Sequence, residues 1–153
     1  MSGPRLRKET AMRTVRHLLG SKNAEVFAVS PDDSVLDAIR LMAQKSVGAV
    51  LAMQGSRLSG IVSERDYARK IVLQGRSSAN TPVRDIMTTK VITVGLGDSV
   101  DRCMQIVTEH RIRHLPVMEG DRVLGVISIG DLVKAVIEDQ QVELDQLQRY
   151  IAS

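Results

Sequence analysis

The chain has 153 residues, of which 43% are hydrophobic, 25% are charged and 2% are aromatic. This length favours one compact domain or two very small ones, and the balance of apolar and charged residues excludes a disordered chain. A single cysteine, Cys103, excludes a disulfide framework, and no apolar run is long enough to span a membrane. So few aromatic side chains argue against a surface that stacks single-stranded bases.

The basic charge of the chain is concentrated at its start. Residues 1–22 hold six basic residues and one acid, a net charge of +5. The rest of the chain has a net charge of −2, which gives the overall charge of +3. A nucleic-acid partner is therefore not expected, because such binding needs positive charge spread over a folded face. Apolar residues at helical spacing predict a short amphipathic helix over roughly 5–20 that docks on the core. We expect a cytoplasmic protein, with organellar import from this Arg-rich segment left open.

An internal repeat organises most of the remaining chain. When the sequence is shifted by 65 residues against itself, Asp-Ser-Val at 33–35 falls on the same tripeptide at 98–100. In the same register, Gly-Ile-Val-Ser-Glu-Arg-Asp at 60–66 falls on Gly-Val-Ile-Ser-Ile-Gly-Asp at 125–131. The register needs no gap over 26–70, so it predicts two copies of one structural unit.

Each copy predicts the same order of elements, β-α-β-β-α. A short strand precedes a helix that begins at an aspartate, Asp33 or Asp98, which suits the positive end of a helix. Two strands joined by a glycine-containing turn follow, and the Ser-x-x-Asp string then opens a last helix. The strands with predicted bounds are 26–29, 91–94, 115–118 and 123–127.

The repeat also sets the predicted domain boundaries. The second repeat runs into a long helix over 132–151, whose apolar stripe packs either on its own chain or on a partner as a dimer seam. The predicted boundaries are 1–22 for the basic helical segment, 23–75 and 76–138 for the two repeats, and 139–153 for a C-terminal helical extension, with 71–82 as the linker.

Residues with reactive or metal-binding side chains give little support for catalysis. Cys103 falls on a helix without a recognisable base partner and is expected to be a small core residue. His110 and His114 are separated by a change from helix to strand, so they do not share a helical face and a zinc site is not expected. No nucleophile–base pair or pair of carboxylates stands out, and we therefore expect no enzyme activity.

The repeated unit, with its Gly-x-x-Ser-x-x-Asp strings, resembles a tandem pair of CBS domains, the Bateman module. Arg-Ile-Arg-His-Leu-Pro-Val at 111–117 is typical of the same family. The resemblance covers about 22–138 and extends to small stand-alone bacterial CBS-pair proteins. It implies a mixed α/β (α+β) fold in which two repeats pack about a pseudo-two-fold axis, with an N-terminal helix and a long C-terminal helix added. Two related clefts are expected between the repeats.

The resemblance implies which residues line each cleft. The aspartate would accept the ribose hydroxyls, while Arg65, or Arg113 with His114, would meet phosphate. Ala28 replaces the Thr or Ser expected at its position, which removes one polar contact from the second cleft. The first cleft is predicted to combine Ser63, Arg65 and Asp66 with Thr93 and the backbone of Ile112, Arg113, His114, Leu115 and Pro116; the second combines Ser128, Asp131, Arg113 and His114 with Ala28 and the backbone of Val47, Gly48 and Ala49.

The implied ligand is an adenine nucleotide, AMP first, with ADP, ATP or NAD(H) as alternatives and no catalytic cofactor. The implied function is a regulatory module, commonly a homodimer, that signals by conformational change to a partner protein in trans. The residues alone leave another interpretation open, because Ser-x-x-Asp is also an ordinary capping box at a helix start. The protein would then be a structural interaction module whose clefts bind nothing.

Overall fold

The computed structural model describes residues 13–20 and 25–152, which form two compact units that each contain helices and strands. This confirms the mixed α+β class predicted from the sequence. We name the units after the repeat that supplies most of each. The first unit holds 25–92 and 120–124; the second unit holds 13–20, 93–119 and 125–152.

Helices and strands alternate in the order that the repeat predicts. In chain order they are α1 (Val15–Gly20), β1 (Ala28–Val29), α2 (Val35–Lys45), β2 (Ala49–Gln54), β3 (Arg57–Ser63), α3 (Glu64–Tyr67) with a π-helical turn (Ala68–Val72), a 3-10 turn (Val83–Asp85), α4 (Val100–His110), β4 (His114–Glu119), β5 (Arg122–Ser128) and α5 (Ile129–Ala152). Strand β2 pairs in parallel with β1 and antiparallel with β3, and β4 pairs with β5.

The 65-residue register of the sequence is reproduced in the structure. Helices α2 and α4, strands β2 and β4, and strands β3 and β5 each begin and end at positions 65 residues apart. The turns between the paired strands contain Gly55 and Gly120, whose φ angles of 61° and 59° lie in the left-handed region that favours glycine. The internal repeat is therefore confirmed at the level of secondary structure.

The first helix of each repeat is capped by a serine, whereas the sequence pattern predicted an aspartate at the helix start. Ser34 caps α2 and Ser99 caps α4, and each hydroxyl accepts the backbone N–H three residues later, at 3.1 Å and 3.0 Å. Asp33 and Asp98 lie one residue earlier and each accepts the backbone N–H three residues before it, at 2.8 Å. These aspartates order the loop that leads to the helix, and the capping residue lies one position later than predicted.

The first strand of each repeat is shorter than the four residues predicted. Strand β1 has two residues, and the second repeat has instead a parallel bridge between Val94 and Val117. In the first unit, Leu51 N donates to Phe27 O at 3.0 Å. Pro116 occupies the position of Leu51 in the second repeat and has no N–H, so the corresponding hydrogen bond cannot form there.

A short segment docks on the first helix start of each unit. In the first unit the backbone of 81–83 exchanges two hydrogen bonds with that of 33–35, both 2.8 Å long. In the second unit the backbone of 13–15 exchanges the corresponding bonds with that of 98–100, at 3.0 Å and 2.9 Å. Each docking segment thus belongs to the same unit as the helix on which it docks, although it comes directly before the other repeat in the sequence.

The two docking segments are themselves related, although the sequence analysis did not find this. Val15 and Leu18 are 0% and 5% exposed, and Val83 and Ile86 are 0% and 1% exposed. Their alignment needs a shift of 68 residues, which the gapless 65-residue register could not show. The predicted helix over 5–20 is helical at α1 and docks on its unit as expected, while its part before residue 13 lies outside the described residues.

Gly60 of the Gly-x-x-Ser motif lies where β3 meets the segment around Met87. A Cβ at Gly60 would lie 2.7 Å from Met87 Sδ and 2.8 Å from Thr88 O. Thr88 exchanges two backbone hydrogen bonds with Ile61, at 2.9 Å and 3.0 Å, which holds this close approach in place. The motif glycine is thus needed for packing, and the serine three residues later is placed by the strand that it ends.

The long C-terminal helix predicted over 132–151 is present as α5. One face is buried through Leu132 and Ala135, and α5 packs against α4. Among the described residues, no helix combines the length and the apolar character that a membrane span requires.

Candidate functional site

The first Ser-x-x-Asp string begins the helix that follows β3. Ser63 caps α3, since its Oγ accepts from Asp66 N at 3.2 Å. The Asp66 carboxylate returns to the serine, and its Oδ2 accepts from Ser63 N at 2.9 Å and from Ser63 Oγ at 3.0 Å. This is the capping box that the sequence analysis left open, and it fixes the orientation of a carboxylate whose side chain is 16% exposed.

The second oxygen of Asp66 meets a lysine that the sequence analysis missed. Lys70 Nζ lies 3.2 Å from Asp66 Oδ1 and donates a hydrogen bond to Ile86 O at 2.8 Å. Ile86 lies three residues after the docked backbone of 81–83, so the ammonium joins the helix start to the chain that follows this segment. The signal available in the sequence was an acid and a base four residues apart after a helix start.

The second Ser-x-x-Asp string begins α5 with nearly the same local geometry. Ser128 N donates to Asp131 Oδ2 at 2.8 Å, and Asp131 N donates to Ser128 Oγ at 3.1 Å. Ala135 occupies the position of Lys70 and is 1% exposed. Since alanine carries no charge, position 135 cannot reproduce the ion pair that Lys70 makes with Asp66.

A backbone carbonyl from the loop before the paired strands meets each string. In the first unit Glu64 N donates to Gly48 O at 3.0 Å, and in the second Ile129 N donates to Arg113 O at 2.8 Å. Both donors directly follow the serine that caps the helix. The structure therefore brings two of the predicted binding residues, Gly48 and Arg113, beside the Ser-x-x-Asp string of their own unit.

The other predicted site residues are divided between the two units. Ala28, Thr93 and Arg113 are exposed, Arg65 and His114 are half-buried, and Leu115 with Pro116 is buried. The combination of residues from both units in one cleft stays a prediction. The first unit holds Ala28, Val47, Gly48, Ala49, Ser63, Arg65 and Asp66, and the second holds Thr93, Ile112, Arg113, His114, Leu115, Pro116, Ser128 and Asp131.

Cys103 is a core residue of α4, as the sequence analysis predicted, with 0% exposure. Burial raises the pKa of its thiol from 9.0 to about 11, with the negative charge of Asp98 adding to the rise and Arg102 opposing it. The thiol is therefore protonated at neutral pH and is a poor nucleophile. Over residues 13–20 and 25–152, no group of three His, Cys, Asp or Glu side chains is placed to hold a metal ion.

The model of the CBS domain family matches this chain twice, at 15–73 and 83–138. The chain therefore belongs to the CBS-domain family and contains a pair of CBS domains. Each match begins at the buried valine of a docking segment, Val15 or Val83, and each includes one Ser-x-x-Asp helix start.

Known proteins and structures support the same assignment. The chain is 47% identical over 125 residues to the mitochondrial CBS domain-containing protein CBSX3 of Arabidopsis thaliana, a match that covers 78% of this chain and 61% of that protein. The chain thus spans about three fifths of that relative's length. It is 53% identical to the solved structure of a candidate signal-transduction protein with CBS domains from Burkholderia ambifaria, with a TM-score of 0.80 over 83% of this chain and 96% of that one.

A more distant neighbour shows the fold alone. It is a CBS domain pair solved in complex with 5′-methylthioadenosine and S-adenosyl-L-methionine, and it is 22% identical to this chain. The TM-score is 0.71, over 80% of this chain and 94% of that one.

Proposed function

We propose that the protein is a regulatory module that binds an adenine nucleotide at its two Ser-x-x-Asp helix starts and signals to a partner protein in trans. AMP is the first candidate, and ATP, ADP and NAD(H) are the alternatives. The single observation that carries the proposal is the repeated helix start, in which a carboxylate is held in one orientation by the N–H of the capping serine, at 2.9 Å and 2.8 Å. The protein would act by binding and conformational change, without catalysis.

The chemistry of the helix starts suits a nucleoside. A carboxylate that accepts hydrogen bonds is the usual partner of the two ribose hydroxyls, and such charge-assisted bonds are among the stronger ones in proteins. Arg65 beside the first string, and Arg113 with His114 near the second, would neutralise phosphate. The distant neighbour that shares the fold was solved with two adenosine ligands, which supports the choice of ligand class.

Isothermal titration calorimetry with AMP, ATP and NADH tests the proposal. We expect Asp66→Asn and Asp131→Asn each to remove one binding event, and the double variant to remove both. Loss of hydrogen bonds to a charged group costs about 1.5–3 kcal/mol, or roughly tenfold or more in affinity. Asparagine keeps one oxygen to accept the serine N–H, so the helix cap survives better than it would with alanine.

The matched control is Asp37→Asn, which removes a carboxylate that is 56% exposed in the first turn of α2. This variant should bind like the wild-type protein. If the wild-type protein binds none of the three ligands at millimolar concentration, the proposal is wrong and the Ser-x-x-Asp strings serve as helix caps in a structural interaction module. A double Asp variant that binds as tightly as wild type would equally contradict the assigned sites.

We also propose that the protein forms a homodimer through the exposed stripe of α5. Ile137, Leu144, Leu147 and Ile151 are 58%, 46%, 54% and 73% exposed and follow the alternating spacing of three, four and seven residues that pairs helices. Analytical ultracentrifugation should give a dimer for the wild-type protein and a monomer for the Leu144→Glu/Leu147→Glu variant. Gln148→Glu, a charge on a polar position of the same helix, should stay dimeric, and a wild-type monomer would refute the proposal.

The cellular location stays a prediction. The sequence favours the cytoplasm and leaves organellar import from its Arg-rich start open, and the Arabidopsis relative is named mitochondrial. Microscopy of the tagged full chain in its native cell would separate the two locations.

A further inference from the structure

The two Ser-x-x-Asp strings differ one helical turn after the aspartate. In the first unit Lys70 Nζ lies 3.2 Å from Asp66 Oδ1, whereas the second repeat has Ala135 at this position. The backbone differs at the same place, because Ala68–Val72 is π-helical and the equivalent part of α5 is α-helical. Lys70 also donates to Ile86 O at 2.8 Å, so two separate acceptors hold its ammonium beside the carboxylate.

The hydrogen bonds already made by Asp66 limit what it can accept. An ionised carboxylate has about four acceptor positions, two on each oxygen. Ser63 N and Ser63 Oγ occupy Oδ2, and Lys70 occupies one position on Oδ1. A ribose that donates from both hydroxyls needs two positions, which is one more than remains. It must therefore displace either the lysine or the serine hydroxyl.

We propose that Lys70 is a specificity-determining residue of the first site and makes it select phosphorylated nucleotides over uncharged nucleosides. The proposal rests on the nucleotide binding at Asp66 proposed above. When ribose hydroxyls replace the ammonium on Oδ1, the lysine loses an anionic partner. A ligand with phosphate supplies a new anion for this charge, whereas an uncharged nucleoside supplies none.

The test compares adenosine with AMP on the Asp131→Asn background, so that calorimetry reports the first site alone. On this background, Lys70→Met should bind adenosine more tightly by about two- to fivefold, the range expected for loss of an ion pair near the surface. AMP should gain less than adenosine or bind more weakly. The ratio of AMP affinity to adenosine affinity should therefore fall, by roughly twofold or more where the affinity for AMP does not rise.

Two control variants make the result specific. Arg69→Met removes the neighbouring exposed positive charge and should leave the ratio as it is in the parent protein. Lys70→Arg keeps a cation one turn after Asp66 and should keep the preference for AMP even if Lys70→Met is less stable. Circular dichroism melts are recorded for each variant so that binding is compared only among folded proteins.

The outcomes separate the two proposals. If the parent Asp131→Asn protein binds neither adenosine nor AMP, nucleotide binding at the first site is wrong, and the selectivity proposal falls with it. If the parent binds both ligands and the ratio is the same in Lys70→Met, nucleotide binding stands and the role of Lys70 is overturned. An equal change in Arg69→Met would also overturn it, since the effect would then come from general charge.

Discussion

The two repeats share a set of backbone hydrogen bonds at equivalent positions. They differ in some of the residues that lie beside these bonds. The carbonyls of Gly48 and Arg113 accept equivalent N–H groups, and both units have a segment docked on the first helix start. Leu51 and Lys70 of the first repeat are replaced by Pro116 and Ala135 in the second. The duplicated frame thus keeps the two carboxylates in place while their surroundings diverge, so equal sequence motifs need not give equal sites.

Leu51→Pro should have the largest effect, because it brings the proline of the second repeat into the first. Leu51 is 0% exposed in the central strand, and its N–H bonds to Phe27 O at 3.0 Å. The variant loses this ladder bond as well as a buried side chain. We expect the free energy of unfolding, measured by urea denaturation, to fall by more than about 3 kcal/mol.

Leu51→Ala serves as the control that keeps the N–H, and it should cost about 2–5 kcal/mol through the cavity alone. The proline variant should be less stable than the alanine variant. If the two are equal, the hydrogen bond to Phe27 contributes nothing, and the absence of this bond in the second repeat does not explain its shorter first strand.

Val15→Ala and Val83→Ala sharpen the comparison between the two docking segments. Both valines are fully buried, and each loses two methyl groups on substitution. We expect each variant to lose about 2 kcal/mol of unfolding free energy, from about 0.8 kcal/mol per buried carbon and the cavity left behind. Differential scanning calorimetry of the pair should give similar decreases in Tm.

Leu73→Ala, at a side chain that is 76% exposed, provides the baseline and should change stability by less than about 0.5 kcal/mol. If Val15→Ala matches this baseline while Val83→Ala does not, the segment at 13–15 is not an equivalent of 81–83. The proposed correspondence between the two docking segments would then have to be abandoned.

The sequence predicted those parts of the fold that follow from local pattern. Shared Asp-Ser-Val and Gly-x-x-Ser-x-x-Asp strings predicted the register, the order of elements, and the aspartates Asp66 and Asp131 that pair with a capping serine. The docking segments escaped because three additional residues separate one of them from its repeat. The strand near Val94 is short because Pro116 on the neighbouring strand has no N–H to pair with it. The residues of 91–94 alone carry no sign of this missing donor.

The candidate site was predictable in its motif residues and less so in its surroundings. Asp66 and Lys70 are four residues apart, but the second acceptor of the ammonium, Ile86 O, comes from a segment distant in sequence. Such a contact depends on tertiary packing and leaves no periodic signal. The capping box at Ser63 follows from a local pattern and was therefore visible in the sequence. The competition between Ser63 and Lys70 for the carboxylate of Asp66 was not visible.

Cys103→Ala should have the smallest effect at neutral pH, since it gives the second repeat the alanine found at position 38 of the first. Ala38 and Cys103 are both 0% exposed, and the loss of one sulfur atom should cost about 1 kcal/mol. The pH dependence is more diagnostic. Because the pKa of the thiol is raised from 9.0 to about 11 in the folded protein, the unfolded chain releases this proton first as the pH rises.

The folded protein consequently binds more protons than the unfolded chain between about pH 9 and pH 11, and the unfolding free energy falls over this interval. Urea denaturation at pH 8 and pH 10.5 should show a larger decrease for the wild-type protein than for Cys103→Ala. Equal decreases would mean that the thiol is not the group responsible, and rapid labelling of the native thiol at pH 8 would show that it is accessible. Either result would remove the equivalence of Cys103 with the buried Ala38.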